Sequence, residues 1–268
     1  MRFLFAVLCV GVLALSYPRD VSADDCAADN VTRVDAGTEC LVIRVFGEPA
    51  ERTALVVFIH GDGYRGGSSD YLYPLAHRFA ARGIVAVGLI RPGYYDRDGN
   101  TSTGTSYRRE GDGYRPHIVD AVAAAVRTLK GHYRADLVIL AGHSGGAAIS
   151  GVIIGKYPDL AQAAALAACP CNVPEWRERR RGHNNWTNSL SPHDFAADVA
   201  TTTRVVALTG SLDDNTTPGL ARDYVAGLTA RGVDATFIEL NGKDHNSSVR
   251  SDEFAQVLAT LLEGRAKE

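Results

Sequence analysis

Residues 137–149 read Leu-Val-Ile-Leu-Ala-Gly-His-Ser-Gly-Gly-Ala-Ala-Ile. An aliphatic run typical of a buried strand ends in a glycine-rich turn, and small residues then lead into a predicted helix. A serine on such a sharp turn needs small neighbours, and Gly142 and Gly146 leave the backbone that room. Gly145 leaves the amide after the serine open to an oxyanion. The pattern therefore predicts that Ser144 is a nucleophile, rather than a passive serine in a glycine-rich turn.

The 268 residues are 46% hydrophobic, which is enough for one large α/β domain with a sizeable core. The formal net charge is -3 and both signs are interspersed along the chain. This charge pattern indicates neither a nucleic-acid surface nor an acidic tail. We therefore expect no nucleic-acid partner, and the composition leaves the oligomeric state open.

The first 23 residues have the pattern of a signal peptide. Arg2 precedes an apolar run over 3–15, and the small residues at 21–23 suit cleavage before Asp24. The alternative is an uncleaved membrane anchor, for which the run is short. We expect a mature chain of residues 24–268 that is secreted or periplasmic and makes no membrane contact.

Four cysteines remain after removal of the signal, and an even number in an exported chain predicts disulfides. Cys26 with Cys40 would leave Cys169 and Cys171 as a tight pair across Pro170, and the two other connectivities cross-link the N-terminal segment to the middle of the chain. We expect no metal site, because no histidine or second cysteine pair lies at ligand spacing beside Cys-Pro-Cys.

Apolar runs alternate with segments of helical periodicity through most of the chain. Besides the run before Ser144, the predicted strands are 41–46, 53–59, 84–90, 163–168, 204–208 and 235–240. The predicted helices are 71–82, 117–129, 220–230 and 252–262. This alternation predicts a mostly parallel sheet with helices on both faces. No repeat is present, so one domain is expected.

Two irregular segments interrupt the pattern. Residues 96–112 form a predicted loop that is either part of the active-site rim or a solvated surface loop. Residues 172–198 are a predicted small cap or rim insertion, because connections at this edge of a parallel sheet overhang the ligand crevice. The arginine run within it, residues 177–181, is more typical of a solvated helix face than of a carboxylate receptor.

Three residues suited to acyl transfer each follow a predicted strand, in the order Ser144, Asp213, His245. A serine hydroxyl is a weak nucleophile until a base takes its proton, and an imidazole is the suitable base near neutral pH. A carboxylate on the far ring nitrogen fixes the imidazole tautomer. We therefore predict that these three residues are catalytic.

That order resembles the α/β-hydrolase superfamily over essentially the whole mature chain. Ser-Pro-His at 191–193 and Gly-Ser-Leu-Asp-Asp at 210–214 look like prolyl-oligopeptidase-like and dienelactone-hydrolase-like members. The resemblance implies an α/β-hydrolase fold with a small cap insertion and no cofactor. It also implies an oxyanion hole formed by the amides of Gly145 and Asp62, with Gly63 as an alternate donor.

Asp214 is an alternative candidate for the catalytic acid predicted at Asp213. Asp213 stands three residues after Gly210, as in the family pattern, whereas Asp214 stands at the more usual distance before Pro218. We favour Asp213. Asp244 is a poor candidate, because adjacent loop residues seldom reach each other's far ring nitrogen.

Other histidines are given non-catalytic roles. We expect His143 to pack, because a residue inside the turn points away from the serine hydroxyl. We expect His60 to orient the oxyanion turn through hydrogen bonds, and His193 to lie on the rim.

The predicted function is hydrolysis of carboxylic esters by an exported serine hydrolase through an acyl-enzyme. The substrate is a small-molecule ester or amide. The alternatives are a peptidase or amidase of prolyl-oligopeptidase type and a non-catalytic binding protein on the same fold. The chain lacks room for the large N-terminal propeller of that peptidase family, and it has lost no triad member.

Overall fold

The computed structural model describes residues 26–63, 67–107, 113–185 and 188–263. The predicted signal peptide over 1–23, and residues 108–112 of the predicted loop 96–112, lie outside the described residues. No helix within the described ranges is long and apolar enough to cross a membrane.

The described residues form an eight-stranded sheet in the order β1-β2-β4-β3-β5-β6-β7-β8. Strands β3 to β8 run parallel, and β1 and β2 add an antiparallel edge. The strands are β1 Arg33–Asp35, β2 Cys40–Phe46, β3 Ala54–Ile59, β4 Ile84–Leu89, β5 Leu137–His143, β6 Ala163–Ala167, β7 Arg204–Gly210 and β8 Asp234–Leu240.

Helices cover both faces of the sheet, with α2, α3 and α5 on one face and α1 and α7 on the other. The helices are α1 Tyr73–Phe79, α2 Pro116–His132, α3 Gly145–Lys156, α4 Val173–Arg181, α5 Pro218–Ala230, α6 His245–Ser248 and α7 Asp252–Glu263, with a 3₁₀ helix at Pro192–Asp198. This arrangement confirms the predicted α/β-hydrolase fold.

Strand β3 shows why the central runs are apolar throughout. Leu55 and Val57 pack into the layer of α2, α3 and α5, whereas Val56 and Phe58 pack into the layer of α1 and α7. Because successive side chains point to opposite faces and both faces are covered, every residue of the strand is buried.

Helix α1 is shorter than predicted. It ends at Phe79, and Ala80 has extended backbone with φ -66° and ψ 127°. Ala81 and Ile84 then form a bridge around Gly83, whose φ is +82°. The predicted helix end at Arg82 is therefore wrong, since Gly83 forms the tight turn into β4.

The predicted insertion at 172–198 contains regular structure that the sequence pattern did not reveal. It holds helix α4 and the 3₁₀ helix. The Asn172 side chain caps α4 by accepting a hydrogen bond from the Glu175 amide at 3.3 Å. Helix α4 was missed because arginines and glutamates supply most of its residues and leave no apolar periodicity.

The strand order places the turns after β3 and β5 side by side. Strand β3 lies between β4 and β5, so the chain leaves β3 toward one side and returns on the other. Ile59, at the end of β3, pairs with Gly142 near the end of β5. A crevice forms at such a reversal, outside the carboxyl ends of the strands. The predicted oxyanion turn and nucleophile turn meet there.

Two disulfides are present. Cys26 bonds to Cys40, and Cys169 bonds to Cys171. The structure thus selects the first of the three connectivities that the sequence leaves open. The second bridge closes the turn between β6 and the cap helix α4.

Candidate active site

Ser144 lies in the turn between β5 and α3, with φ 53° and ψ -119°. A positive φ is costly for a residue with a Cβ, so the surrounding turn must hold it. The Ser144 amide donates to the Ala167 carbonyl at 2.9 Å, and the Ser144 carbonyl accepts from the Ala148 amide at 3.0 Å. A Cβ on Gly146 would lie 2.0 Å from the Ile59 carbonyl oxygen, so only glycine fits there. The serine therefore occupies the sharp turn that the sequence predicts.

His245 follows β8 and begins helix α6. Its Nε2 lies 3.0 Å from Ser144 Oγ, and its Nδ1 lies 2.9 Å from Asp213 Oδ2. The His245 side chain is 18% exposed and the Asp213 carboxylate is fully buried. Asp244 instead caps α6, because its carboxylate accepts from the Ser247 amide at 2.8 Å. The structure thus joins the three predicted catalytic residues in one chain of hydrogen bonds.

The Asp213 carboxylate is saturated with donors. Oδ1 accepts from the amides of Asn215 at 3.0 Å and Thr216 at 2.9 Å, and Oδ2 accepts from Thr216 Oγ1 at 2.8 Å. Burial acts to raise the pKa of Asp213, but the hydrogen bond and charge of His245, together with the Thr216 donors, lower it overall. The carboxylate is therefore held ionised. The neighbouring Asp214 is exposed.

The two turns that carry the predicted oxyanion donors lie against each other. A Cβ on Gly145 would lie 2.3 Å from Asp62 Oδ1, so the turn after β3 contacts the turn that carries Ser144. The Gly61 amide is already used, because it donates to the Tyr71 hydroxyl at 2.7 Å. Within the described ranges, the amides of Asp62 and Gly145 donate no hydrogen bond. Both remain available to a ligand oxygen.

The Asp62 side chain is held by two residues that the sequence analysis did not single out. Asp62 Oδ1 accepts from Arg91 Nη1 at 2.9 Å, and Oδ2 accepts from the Tyr114 hydroxyl at 2.5 Å. Burial of the Arg91 guanidinium acts to lower its pKa, but Tyr94 and Asp62 raise it overall. Arg91 therefore stays charged and neutralises a carboxylate beside the oxyanion amides. The sequence signal that could have identified Arg91 was its position directly after the apolar run 84–90.

His60 orients the same turn, as predicted. Its Nε2 accepts from the Arg91 amide at 2.9 Å, so its Nδ1 carries the proton and donates to the Gly61 carbonyl at 2.6 Å. Burial, followed by the Arg91 charge, lowers the pKa of His60 to about 3. The ring is therefore a neutral structural group.

His143 does more than pack. Its Nδ1 accepts from the Tyr71 hydroxyl at 2.7 Å, and its Nε2 donates to the His245 carbonyl at 3.0 Å. Because the same hydroxyl accepts from the Gly61 amide, one chain of hydrogen bonds ties the oxyanion turn to the backbone of His245. Burial, followed by the proximity of His245, lowers the pKa of His143 to about 4. The packing role predicted for His143 is incomplete, since the imidazole positions two parts of the site.

The insertion at 172–198, predicted to be a cap or rim, reaches the site through helix α4. Trp176 Nε1 donates to Asn215 Oδ1 at 3.3 Å, and Asn215 Nδ2 lies 3.2 Å from His245 Nε2. The sequence analysis missed Asn215 and Thr216. The signal was local, because short polar residues two and three positions after an aspartate often bond to its carboxylate.

The arginine run of the insertion has two environments. Arg177 is buried, donates to Ser189 Oγ at 2.8 Å, and lies 6.0 Å from the Tyr114 ring centroid. Arg179 pairs with Glu175 at 2.7 Å, and residues 179–181 are exposed. The solvated face predicted for the run is wrong for Arg177, whose side chain supports the cap from inside.

His193 is exposed at the start of the 3₁₀ helix, and its amide donates to the Cys171 carbonyl at 2.9 Å. Among the residues that the structure describes, no group of three or more histidine, cysteine, aspartate or glutamate side chains is placed to hold a metal ion.

The sequence model of the prolyl oligopeptidase family matches residues 79–263, which is more than half of the chain. The chain belongs to the prolyl oligopeptidase family. This family member is a serine hydrolase, and the matched residues include Ser144, Asp213 and His245. The resemblance predicted from sequence is thereby confirmed. No curated protein matches the chain.

Solved structures with the same fold include enzymes of several specificities. Est1E from Butyrivibrio proteoclasticus, with ferulic acid bound, aligns with a TM-score of 0.64 and 15% identity over 88% of this chain and 98% of its own. A Klebsiella pneumoniae subsp. pneumoniae MGH 78578 protein assigned as a dienelactone hydrolase aligns with a TM-score of 0.63 and 14% identity over 87% of this chain and 97% of its own. An acylaminoacyl peptidase from Pyrococcus horikoshii aligns with a TM-score of 0.60 and 14% identity over 82% of this chain and 38% of its own. At these identities the likeness shows the fold.

Proposed function

We propose that this prolyl oligopeptidase family member hydrolyses small-molecule carboxylic esters through an acyl-enzyme on Ser144. The observation that supports this proposal is the chain of hydrogen bonds from Ser144 Oγ through His245 to Asp213. The free amides of Asp62 and Gly145 lie beside it. These parts are what acyl transfer by a serine requires.

The mechanism uses His245 first as a base and then as an acid in each half-reaction. Ser144 Oγ attacks the ester carbonyl carbon while His245 Nε2 takes the serine proton, and the tetrahedral oxyanion accepts from the amides of Asp62 and Gly145. The proton passes from Nε2 to the departing alcohol, and the acyl group stays on Ser144. Water then loses a proton to His245 and attacks the acyl carbon. His245 returns that proton to Ser144 Oγ as the bond between Oγ and the acyl carbon breaks, and the carboxylic acid leaves. Asp213 holds the imidazole orientation and stabilises its charged form.

Ester substrates are favoured over amides by the chemistry of two structural neighbours. Est1E holds ferulic acid, a carboxylic acid of the kind that an ester hydrolase releases, and a dienelactone is a cyclic ester. The competing proposal is a peptidase or amidase, which the family description and the acylaminoacyl peptidase neighbour favour. Both proposals use the same three residues and differ in the leaving group.

Labelling and substrate panels test the proposal together. A fluorophosphonate probe should label the wild-type protein at Ser144, and Ser144→Ala should abolish labelling. Ser144→Ala should also lower turnover on the order of a millionfold. Esters of graded acyl length should be cleaved faster than aminoacyl amides with the same leaving group. Faster amide cleavage would replace the esterase assignment with the peptidase one, and an unlabelled, inactive wild type would indicate a binding protein.

We further propose that the enzyme is exported, as a mature chain of residues 24–268. The apolar run over 3–15 and the small residues before Asp24 support export, and both disulfides need an oxidising compartment. Secreted or periplasmic material should begin near Asp24 and show no titratable thiol after denaturation. A protein that begins at Met1 would contradict cleavage, and two free thiols would contradict one of the bridges.

A further inference from the structure

The Asn215 side chain lies between the cap and the imidazole of His245. Its Oδ1 accepts from Trp176 Nε1 at 3.3 Å, and its Nδ2 lies 3.2 Å from His245 Nε2. The same Nε2 lies 3.0 Å from Ser144 Oγ. One imidazole nitrogen therefore has two partners, of which only the serine belongs to the proposed reaction.

The chemistry of the partners fixes every proton in this group. An indole N–H only donates, so Trp176 must face Oδ1 of Asn215, and the amide nitrogen must face His245. The ionised Asp213 carboxylate only accepts, so His245 Nδ1 carries the ring proton. His245 Nε2 then has its lone pair free, and it accepts from both the serine hydroxyl and the amide nitrogen.

We propose that Asn215 is a positioning residue that stabilises the resting, neutral imidazole of His245 and opposes its protonation, with Trp176 of the cap holding the amide in that orientation. When Nε2 gains a proton, it faces an amide N–H instead of accepting from it. The amide cannot rotate to present Oδ1 to His245 without turning its nitrogen toward the indole N–H. The inference rests on the proposed role of His245 as the base.

The other polar and titratable groups around the ring belong to residues that the Asn215 substitution does not replace. Asp213 bonds Nδ1, and Thr216 Oγ1 lies 3.1 Å from the same nitrogen. The His143 ring centroid is 5.2 Å from that of His245, and its lowered pKa of about 4 leaves His143 neutral above that pH. Asp244, which caps α6, is exposed. A change in the protonation of His245 upon substitution therefore reports the loss of the Asn215 amide.

The test compares Asn215→Leu with Asn246→Leu. Asn246 is an exposed neighbour of His245 whose side chain makes no hydrogen bond among the described residues, so it gives the same chemical change without the contact. NMR follows the imidazole of His245 as a function of pH without substrate, and the acid limb of the kcat/KM profile follows it with substrate. Asn215→Leu should move both midpoints upward by about half to one pH unit, the size expected of one neutral hydrogen bond. Asn246→Leu should leave them in place.

Trp176→Phe gives a second, independent prediction. Without the indole N–H, the Asn215 amide is free to turn Oδ1 toward a protonated Nε2, so the midpoint should rise at least as far as in Asn215→Leu. An unchanged midpoint in a folded Asn215→Leu protein overturns the inference. A higher KM at an unchanged midpoint also overturns it, because Asn215 would then be a substrate contact. If Asn215→Leu does not fold, Asn215→Ala removes the same amide.

These outcomes can be distinguished from a failure of the proposed function. A hydrolytically active Ser144→Ala protein would remove the proposed reaction. The NMR titration of His245 needs no turnover and still decides the role of Asn215.

Discussion

Asp213 and Asp214 are adjacent in sequence and differ completely in what they contact. Asp213 is buried, receives donors from Asn215 and Thr216, and bonds His245 Nδ1. Asp214 is exposed, and helix α5 begins after Thr217 without a side-chain cap. The Asp214 carboxylate therefore points to solvent and caps no helix. The spacing from Gly210 thus singles out the aspartate that contacts His245, and the spacing to Pro218 does not.

We predict that Asp213→Asn lowers turnover roughly ten-thousandfold, because an amide at this position favours the wrong imidazole tautomer. Asp214→Asn should leave turnover nearly unchanged and alter the free energy of unfolding by no more than about 0.5 kcal/mol, as is usual at an exposed site. Steady-state kinetics and denaturant unfolding of both variants provide the check. A catalytically dead Asp214→Asn protein would move the acid by one residue.

At the scale of single residues, the sequence was sufficient to single out the groups whose residue type and neighbouring pattern indicate a chemical role. Ser144 is marked by its glycines, and Asp213 and His245 by their places after apolar runs. Arg91 and Asn215 have no such signature, because their importance comes from contacts with residues 29 and 30 positions away. Those contacts exist only once the sheet has assembled.

At the scale of elements, the turn after β3 and the turn after β5 are fixed to each other through one tyrosine. The Tyr71 hydroxyl accepts from the Gly61 amide and donates to His143 Nδ1, and His143 donates onward to the His245 backbone. Burial raises the pKa of Tyr71, so the hydroxyl keeps its proton and can donate. The relative position of the predicted oxyanion amides and the imidazole therefore depends on this hydroxyl.

We predict that Tyr71→Phe lowers kcat by roughly ten- to a hundredfold, because a small displacement of the turns misaligns the reacting groups. Loss of partners for the Gly61 amide and the His143 ring should also cost about 1–3 kcal/mol of stability. Tyr73→Phe is the matched control, because the buried Tyr73 hydroxyl has no hydrogen-bond partner among the described residues. Equal kinetic effects of the two substitutions would show that the Tyr71 hydroxyl does not hold the site.

Elements with a strong apolar pattern were predictable, and those built by tertiary contacts were not. Strand β3 is apolar because helices cover both faces of the sheet, and that pattern is visible in the sequence. The early end of α1 at Phe79 follows instead from the Ala81–Ile84 bridge, which competes with helical hydrogen bonds. Helix α4 owes its start to the Asn172 cap and its docking to the buried Arg177, so its sequence shows no amphipathic stripe.

At the scale of the whole molecule, two neutral histidines lie in the interior beneath the site. Burial, followed by the Arg91 charge, lowers the pKa of His60 to about 3, and burial, followed by the proximity of His245, lowers the pKa of His143 to about 4, from a usual value of 6.5. Because the folded-state pKa values lie below the unfolded ones, the unfolded chain binds more protons between about pH 4 and 6.5. The stability that the two histidines contribute as neutral groups is therefore complete above pH 6.5, and it is lost as the pH falls through that range.

We predict that the free energy of unfolding falls steeply between pH 7 and pH 4, with His143 alone contributing on the order of 3 kcal/mol to the decrease. His143→Gln should flatten the decrease by most of that amount, because a glutamine amide can donate to the His245 carbonyl and accept from Tyr71 without titrating. His193→Gln is the control, since this imidazole is exposed in the folded protein.

The measurement is urea unfolding of all three proteins at pH intervals across the range. The lowered pKa of Asp213 adds its own loss as the pH falls through the unfolded carboxyl range, which overlaps the acid end of this window. The histidine contribution is therefore read from the difference between wild type and His143→Gln. If wild type and His143→Gln lose stability in parallel from pH 7 to pH 4, His143 is not the source of the acid sensitivity. The fold would then tolerate a charged imidazole between its catalytic turns.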